Sequence, residues 1–386
     1  MRHGKTPVTT RQAAGAALRI ARLWAGRSSQ DVFARQSQSM IDEAVQNHPL
    51  PLVDIKGTAF DCGRQYALHV IEHFPEEAPR LATMAWASSR ESDLISLFRS
   101  HAPATLELCK GMASAYELAP GSSRSTSGRH EKPDSSECTS FAVSGNHSLL
   151  KAPISGQTKD TDVASLSRYL LLRIRPTDAP AILTLAYPGE LLGYGIWDTG
   201  MALFRNSLHS RTSATEGIDL QLAGLLCQSQ RSVTQINSLF SKLRIKGKGN
   251  FTCADGKDGA LSLEFNGAGL AFVQPIDGIL THANHCESNV TKSAELYPDA
   301  QERENSLFRA THLRRRLMEA GPTLTAQRIY GILGDHAGYP RGICRHLIGN
   351  SPFNRTTATI IADHGSRTLH VSLGNPCLNW PTVHSL

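Results

Sequence analysis

The segment Glu137-Cys138-Thr139-Ser140-Phe141 begins the β-rich part of this 386-residue chain. The residues before it, at 120–136, carry no aliphatic side chain and consist mainly of Ser, Gly, Arg, Lys and Pro. Such a composition is typical of a loop or linker, and it marks the strongest internal boundary of the sequence. The segment therefore predicts the first strand of a new unit, with Cys138 at its start.

After this boundary, short β-rich runs separated by Gly and Pro predict consecutive antiparallel strands. These runs cover residues 139–143, 169–174, 181–187, 191–196, 201–204, 260–265, 270–274, 279–282, 357–363 and 368–373. Helical spacing is found at 63–74, 93–118, 219–228, 233–243, 305–319 and 326–334. Because strand runs and helix runs are segregated, the sequence predicts an α+β fold of packed antiparallel sheets with helices outside.

The composition excludes several classes of protein. Hydrophobic residues make up 40% and charged residues 19% of the chain, which fits neither a disordered chain nor a membrane bundle. No run approaches the roughly 18 apolar residues that a membrane span needs. The formal charge is +6, but the basic residues are scattered and only 6% of residues are aromatic. We therefore expect no membrane span and no nucleic-acid partner.

The N-terminal 50 residues form a basic extension. The first 30 contain six Lys or Arg and no acidic residue, and residues 11–26 have the spacing of a basic amphipathic helix. This pattern resembles an organelle transit peptide, while an ordinary exposed extension is the alternative. The expected location is the cytoplasm, or an organelle if the extension is a transit peptide.

Cys138 differs from the other seven cysteines in its position. If the chain is cut before it, its thiol and a free α-amine with a reference pKa of about 8 belong to the same residue. That residue then supplies both the nucleophile and the general base. The alternative is a buried structural cysteine at a strand edge.

Other candidate sites are weaker. His282, His285 and Cys286 form an H-x-x-H-C cluster with the donor types that zinc prefers. On a strand, however, positions three apart point to opposite faces, so a structural use is favoured and no metal is expected. Asp335-His336 and Asp363-His364 are interpreted as turn or cap groups. The eight cysteines include no CxxC pair and are expected to be reduced and mostly buried.

Six segments between residue 51 and the C-terminus are specific as a set, because they follow one order at compatible spacing. They are Gly57-Thr58-Ala59-Phe60-Asp61-Cys62-Gly63, Cys138-Thr139-Ser140, Gly156-Gln157-Thr158-Lys159-Asp160, His282-Ala283-Asn284-His285-Cys286, Tyr339-Pro340 through Ile343-Cys344-Arg345, and Arg355 with Ala358-Thr359. The set resembles the acyl-coenzyme A:6-aminopenicillanic acid acyltransferase family, or isopenicillin N acyltransferase-like proteins, among the N-terminal nucleophile (Ntn) hydrolases.

The resemblance implies an αββα sandwich made as an inactive zymogen that cleaves itself before the cysteine. It divides the chain into an extension at 1–50, a helical α-subunit-like part at 51–137 and a β-subunit-like part at 138–386. It implies Cys138 as nucleophile and Asp160 as the partner of the freed α-ammonium. Asn284 is implied as a donor to the oxyanion, and Arg355 as a cation near the thiol that pairs with Asp160 or a substrate carboxylate.

The implied function is an autoproteolytic acyltransferase or amidohydrolase that acts on non-peptide amides through an acyl-cysteine intermediate. The acyl group passes to water or to an amine resembling 6-aminopenicillanate. The expected partners are a small N-acyl amine or acyl thioester and the second processed fragment. No cofactor is expected, although acyl-coenzyme A fits as an acyl-donor substrate.

Two rival functions remain open at the sequence level. In the first, Glu137 blocks cleavage, because the family commonly carries Gly there, and the chain is a catalytically silent Ntn-fold binding protein. In the second, His282, His285 and Cys286 form the centre of a zinc-dependent hydrolase. Hydrolase and transferase use the same residues, so the sequence does not choose between them.

Overall fold

The computed structural model describes residues 50–88, 92–117, 137–257, 259–347 and 355–386. The predicted basic extension and the predicted linker at 120–136 lie outside these residues, except for Leu50. Among the helices of these ranges, none is both long and apolar enough to cross a membrane.

Two β-sheets form the centre of the described structure. The strands of sheet A are β1 (Leu52–Gly57), β4 (Leu170–Pro176), β5 (Ile182–Ala186), β6 (Tyr194–Trp197), β7 (Ala202–Asn206), β8 (Gly249–Ala254), β9 (Ala260–Asn266) and β10 (Gly269–Val273), in that spatial order. The strands of sheet B are β11 (Ile279–His282), β2 (Glu137–Val143), β3 (Ile154–Thr161), β12 (Arg355–Asp363), β13 (Thr368–Leu373) and β14 (Thr382–Ser385), also in spatial order.

Helices cover the outer face of each sheet. They are α1 (Ala59–His73), α2 (Asp93–His101), α3 (Pro103–Glu117), α4 (Leu220–Gln228), α5 (Val233–Phe240), α6 (Asn289–Lys292), α7 (Ala300–Ala320) and α8 (Ala326–Leu333). A 3-10 helical segment covers Ala78–Ser88. Helix α7 begins five residues before the predicted start, because Asp299 caps a polar first turn through a 2.8 Å bond from Glu302 N.

Alternating burial along the strands creates the layers. In β4, Leu170 and Leu172 face the helices on sheet A, whereas Leu171 packs with Ile360 between the sheets. On the outer face of sheet B, Phe141 packs in one cluster with residues of α7 and α8. Burial of each such side chain contributes about 1.5–3 kcal/mol. The four layers confirm the predicted αββα sandwich.

Strand β1 corrects the predicted sheet. No strand is predicted at residues 52–57. In the structure Val53 and Ile55 are buried, whereas Leu52, Asp54 and Lys56 are exposed. The strand lies at the edge of sheet A and pairs with β4 in parallel, from Leu52 with Leu171 onward. Sheet A is therefore mixed. The parallel pairing is possible because a long stretch of chain, which contains helices α1 to α3 and two strands of sheet B, connects β1 to β4.

Helices α1 and α3 make a close crossing that depends on two glycines. A Cβ atom on Gly111 would lie 2.0 Å from the carbonyl oxygen of Phe60, and one on Gly63 would lie 2.0 Å from that of Leu108. Both distances are far below van der Waals contact. The two helices that cover sheet A can therefore approach this closely only with glycine at both positions.

Candidate active site

Strands β2 and β3 bring four buried polar groups together. Their antiparallel register pairs Glu137 with Asp160 and Cys138 with Lys159, and each of the four is at most 4% exposed. Because neighbouring strand residues point to opposite faces, Glu137 and Asp160 lie on the α7 side of sheet B. Cys138 and Lys159 lie on the side of sheet A, where Lys159 Nζ donates to the Tyr194 hydroxyl at 2.8 Å.

The backbone N–H and the carbonyl oxygen of Cys138 are both hydrogen-bonded to side chains. Its N–H donates to Asn284 Oδ1 at 3.0 Å, and its carbonyl oxygen accepts from Arg309 at 2.7 Å. Asn284 follows β11, which pairs with β2, and its Nδ2 donates to the Ser207 carbonyl at 2.9 Å. Arg309 also donates to Asn284 Oδ1 at 2.8 Å, so the orientation of the amide is fixed by its donors and acceptor.

Glu137, the residue before Cys138, lies between two cations. The Glu137 carboxylate lies 2.5 Å from Arg309 and 2.8 Å from Arg345. Burial alone raises the pKa of Glu137, but the two guanidinium groups lower it below its ordinary value. An ionised carboxylate, held by two arginines, therefore lies immediately beside Cys138.

Asp160 lies next to this ion cluster and accepts a hydrogen bond from Thr356 of β12. Its Oδ1 accepts from the Thr356 hydroxyl at 2.7 Å, while its Oδ2 is buried with no hydrogen-bond partner among the described residues. Burial raises the pKa of Asp160 to about 6, although Arg309 and Arg345 act against the shift. Asp160 is thus a carboxyl group that exchanges a proton near neutral pH.

Lys159 is a buried cation in an aromatic environment. Its Nζ lies 4.8 Å from the ring centre of Tyr194 and 5.5 Å from that of Tyr187. Burial alone lowers the pKa of Lys159, but the tyrosines and the thiol of Cys138 raise it well above its ordinary value. A buried positive charge therefore lies beside the thiol of Cys138.

Arg355 begins β12 and is 2% exposed. It pairs with Thr161, whereas the next residue, Thr356, pairs with Asp160. Strand alternation puts Arg355 on the face opposite to the contact between Thr356 and Asp160. The direct pairing of Arg355 with Asp160 stays a prediction.

The H-x-x-H-C cluster is engaged in hydrogen bonds. The two ring nitrogens of His282 contact Glu264 at 2.7 Å and the Ala283 carbonyl at 2.8 Å. Those of His285 contact Ser306 at 2.9 Å and Glu287 at 2.6 Å. Among the described residues, His282, His285 and Cys286 do not belong to a group of converging metal donors.

Arg309, Arg345 and Lys159 are the site residues that were not selected from the sequence. Arg309 lies 171 positions after Cys138 on a polar helix, and no spacing rule connects the two. Arg345 and Lys159 lie inside the segments that carry the family resemblance, and Lys159 precedes Asp160 directly. The position of Lys159 next to Asp160 was the one available signal. If Asp160 lies near Cys138 on a neighbouring strand, the residue next to Asp160 lies near Cys138 as well.

A comparison with protein-family models finds no match for this chain, and a search of curated proteins finds none. Solved structures give matches of low identity. One is a mutant of conjugated bile acid hydrolase from Clostridium perfringens, with a TM-score of 0.43, 8% identity and coverage of 64% of this chain and 97% of that chain. Another is penicillin V acylase from Agrobacterium tumefaciens, with a TM-score of 0.39, 11% identity and coverage of 64% and 84%.

A second variant of the Clostridium perfringens hydrolase has a TM-score of 0.35, 9% identity and coverage of 65% of this chain and 89% of that chain. All three TM-scores lie below 0.5.

Proposed function

We propose that this protein is an Ntn enzyme that acts on the amide bonds of small molecules. Cys138, as the first residue of the 138–386 fragment, forms an acyl-cysteine intermediate and passes the acyl group to water or to an amine. The strongest support is the surroundings of Cys138. It is the second residue of an inner strand of sheet B, its N–H donates to Asn284, and its strand neighbours are the cation Lys159 and the carboxyl group of Asp160.

In the proposed maturation, Cys138 Sγ attacks the carbonyl carbon of Glu137. A carbon–sulfur bond forms, the peptide C–N bond breaks, and the thiol proton ends on the released α-amine. Water then hydrolyses the thioester, which frees the Glu137 carboxyl group and restores the thiol. Asn284 Oδ1, which accepts from the amide N–H before cleavage, would accept from the α-amine afterwards.

In the proposed turnover, the α-amine takes the thiol proton as Sγ attacks the amide carbonyl and later gives it to the leaving amine. Asp160, one strand away, stabilises the α-ammonium form while it is ionised. Lys159 favours the thiolate. The sequence-based role of Asn284 as a donor to the oxyanion stays part of the proposal, and it requires Nδ2, which contacts Ser207 in the uncleaved chain.

The ion cluster favours a substrate with a carboxylate. Arg309 and Arg345 hold the Glu137 side chain before cleavage, and they lose that partner if the cleaved segment moves away. An N-acyl amino acid or a similar acid offers a replacement anion. The proteins of similar structure are named for conjugated bile acids and for penicillin V, and both amides are suitable first probes.

Intact-mass spectrometry combined with an amide assay tests this function. We expect the wild type to yield a fragment that begins at Cys138, and Cys138→Ala to stay whole and inactive. Cys253→Ser, which alters another buried cysteine, serves as a control and should mature normally. Turnover of the carboxylate probes, but not of their methyl esters, is expected; equal turnover of acid and ester contradicts the proposed anion site.

The receiving nucleophile separates hydrolase from transferase. Adding 6-aminopenicillanate or another amine, with an acyl-coenzyme A or an amide as donor, gives an N-acyl product only if the amine reaches the acyl-enzyme before water. Because a bound amine can have an effective molarity of about 10⁵ M or more, the product ratio measures whether the pocket holds an amine.

A second candidate is a silent binding protein, and it has one supporting observation. Strand β2 includes both Glu137 and Cys138, and Glu137 is buried and ion-paired, as expected for a chain that functions without cleavage. A wild type that stays intact and inert in the same mass experiment supports this candidate instead.

A further inference from the structure

Four side chains of metal-ligand type converge between two segments of the C-terminal part of the chain, outside the site described above. They are His336, Cys344, His346 and Cys377, and their donor atoms all lie within 4.8 Å of one another. Cys344 and His346 are at most 2% exposed. His336 and Cys344 lie in the segment between α8 and β12, whereas Cys377 follows β13.

The distances between neighbouring donor atoms of the group are close to those of a tetrahedral metal centre. The His336 and His346 Nε2 atoms are 3.1 Å apart, Cys344 Sγ lies 3.4 Å from His346 Nε2, and the two sulfur atoms are 3.5 Å apart. Zinc bonds of 2.0–2.3 Å to nitrogen and sulfur in tetrahedral geometry put neighbouring donors about 3.3–3.8 Å apart. We propose that His336, Cys344, His346 and Cys377 bind one structural Zn²⁺ ion.

Hydrogen bonding alone accounts poorly for this convergence. His346 Nε2 lies within 3.5 Å of three donor atoms at once, on His336, Cys344 and Cys377. A single imidazole nitrogen donates or accepts one hydrogen bond well, whereas a central cation satisfies all four ligands. Binding would release the two thiol protons, because thiolates are the zinc ligands.

The donor set and its surroundings favour zinc in a closed site. Two thiolates and two imidazoles are typical of structural zinc, which leaves no position for water or substrate. Asn375 Nδ2 lies 3.5 Å from Cys344 Sγ and donates to the Arg345 carbonyl at 2.6 Å, as an outer-shell group does. The spacing of eight, two and 31 positions is unlike that of a zinc finger, so no local motif marks the cluster.

The site would also position a residue of the candidate active site. Arg345 lies between two of the ligands, and its guanidinium is 2.8 Å from the Glu137 carboxylate. A metal that ties the Cys344–His346 turn to the segment after β13 would hold this cation in place. Arg345 is thus linked to the metal through the backbone, and the proposal departs from the expectation of no metal.

Metal analysis of the purified full chain tests the proposal independently of cleavage or activity. We expect about one zinc per chain in the wild type and in Cys286→Ser, and a loss of most zinc in Cys377→Ser and His336→Ala. Co²⁺ in place of zinc should give the visible bands of a tetrahedral site with thiolate charge-transfer absorption. Circular dichroism identifies variants that fail to fold. The cobalt spectrum of the wild type tests the proposal even if every variant fails to fold.

Three results would overturn the proposal. The first is a wild type that retains no zinc from zinc-containing buffer and shows no cobalt–thiolate absorption. The second is equal zinc content in wild type and in folded Cys377→Ser. The third is a disulfide between Cys344 and Cys377 in protein kept under reducing conditions, detected as a mass lower by two hydrogens.

Discussion

Asp160 is the side chain whose titration reveals most about the site. Burial raises its pKa from the reference 3.8 to about 6. An acid with a raised pKa stabilises the fold most at low pH, where it is protonated in the folded state, and this contribution is lost as pH rises through the folded-state value. At neutral pH the ionised carboxylate is a cost to stability that a catalytic role would explain.

Replacing Asp160 with Asn should therefore change the pH dependence of unfolding. Between pH 8 and pH 5, we expect the free energy of unfolding of wild type to rise by about 1 kcal/mol relative to Asp160→Asn. Urea titrations of both proteins measure this, with exposed Glu216→Gln as the control. Parallel pH profiles for wild type and variant would mean that the carboxyl is not shifted.

Asn284 offers a test that separates two roles of one amide. Asn284→Asp keeps an oxygen for the Cys138 N–H but removes the Nδ2 donor that contacts Ser207. If Nδ2 serves the oxyanion, we expect kcat to fall by about 10²–10³ while maturation persists. Unchanged kcat in fully matured Asn284→Asp would restrict Asn284 to holding the nitrogen of Cys138.

At this scale, residue type and motif allowed Cys138 and Asn284 to be selected, and their catalytic roles stay predictions. Cys138 and Asn284 were selected from separate segments, and the structure shows them in contact. Arg309 could not be selected, because an arginine on a polar helix has no distinguishing pattern until the helix packs on sheet B. Selecting Lys159 would have required the register of β2 against β3. A short polar strand between turns does not reveal its register.

At the level of elements, strand β3 shows why the sheet was harder to predict than the helices. All eight of its residues are buried, yet the segment Ile154–Thr161 contains Ser, Gln, Thr, Lys and Asp rather than an apolar run. Some of its polar atoms are hydrogen-bonded to other elements, for example Gln157 Oε1, which accepts from Arg205 N at 2.9 Å. Gln157 Nε2, Thr158 Oγ1 and Asp160 Oδ2 are buried with no hydrogen-bond partner among the described residues. Hydrophobic periodicity does not detect a buried strand with this composition.

The crossing of α1 and α3 gives an element-scale prediction. Gly111→Ala would bring a methyl group against the Phe60 carbonyl, and we expect a loss of about 1–3 kcal/mol in the free energy of unfolding. Gly331→Ala on α8 is the matched control, because a Cβ atom there meets no atom within 4 Å. It should be neutral or stabilising by up to about 1 kcal/mol, since Ala favours helix.

Denaturant midpoints of the two variants check this pair directly. A Gly111→Ala protein as stable as wild type would mean that α1 and α3 are further apart than described. Equal destabilisation by Gly331→Ala would instead indicate a general sensitivity of helical glycines, unrelated to the crossing.

At the scale of the whole molecule, the proposed cleavage would divide one fold between two chains. Strand β1 comes before the cut and pairs with β4, which comes after it. The apolar core on sheet A likewise combines residues of α1 and α3 with residues of β4 and α4. Neither fragment alone could bury these surfaces.

We therefore expect the two fragments to stay associated after cleavage. Native size-exclusion chromatography should give one peak that contains both, and denaturant should separate them. An uncleaved Cys138→Ala chain should elute at the same volume as the matured wild type. Fragments that separate without denaturant would contradict the division of the core between them.

The segregated strands and helices allowed the four-layer class to be predicted, because each layer needs only the period of its own elements. The parallel edge strand β1 and the His336, Cys344, His346 and Cys377 cluster could not be predicted in this way. Both depend on contacts between segments far apart in the chain. No local pattern encodes such contacts.

The central claim is that Cys138 carries its thiol and a free α-amine on the same residue in the mature protein. A reagent that condenses only with 1,2-aminothiols, followed by peptide mapping, measures this directly. We expect one label per chain, on Cys138, and none on Cys138→Ala. An active wild type that takes up no label at Cys138 would contradict it.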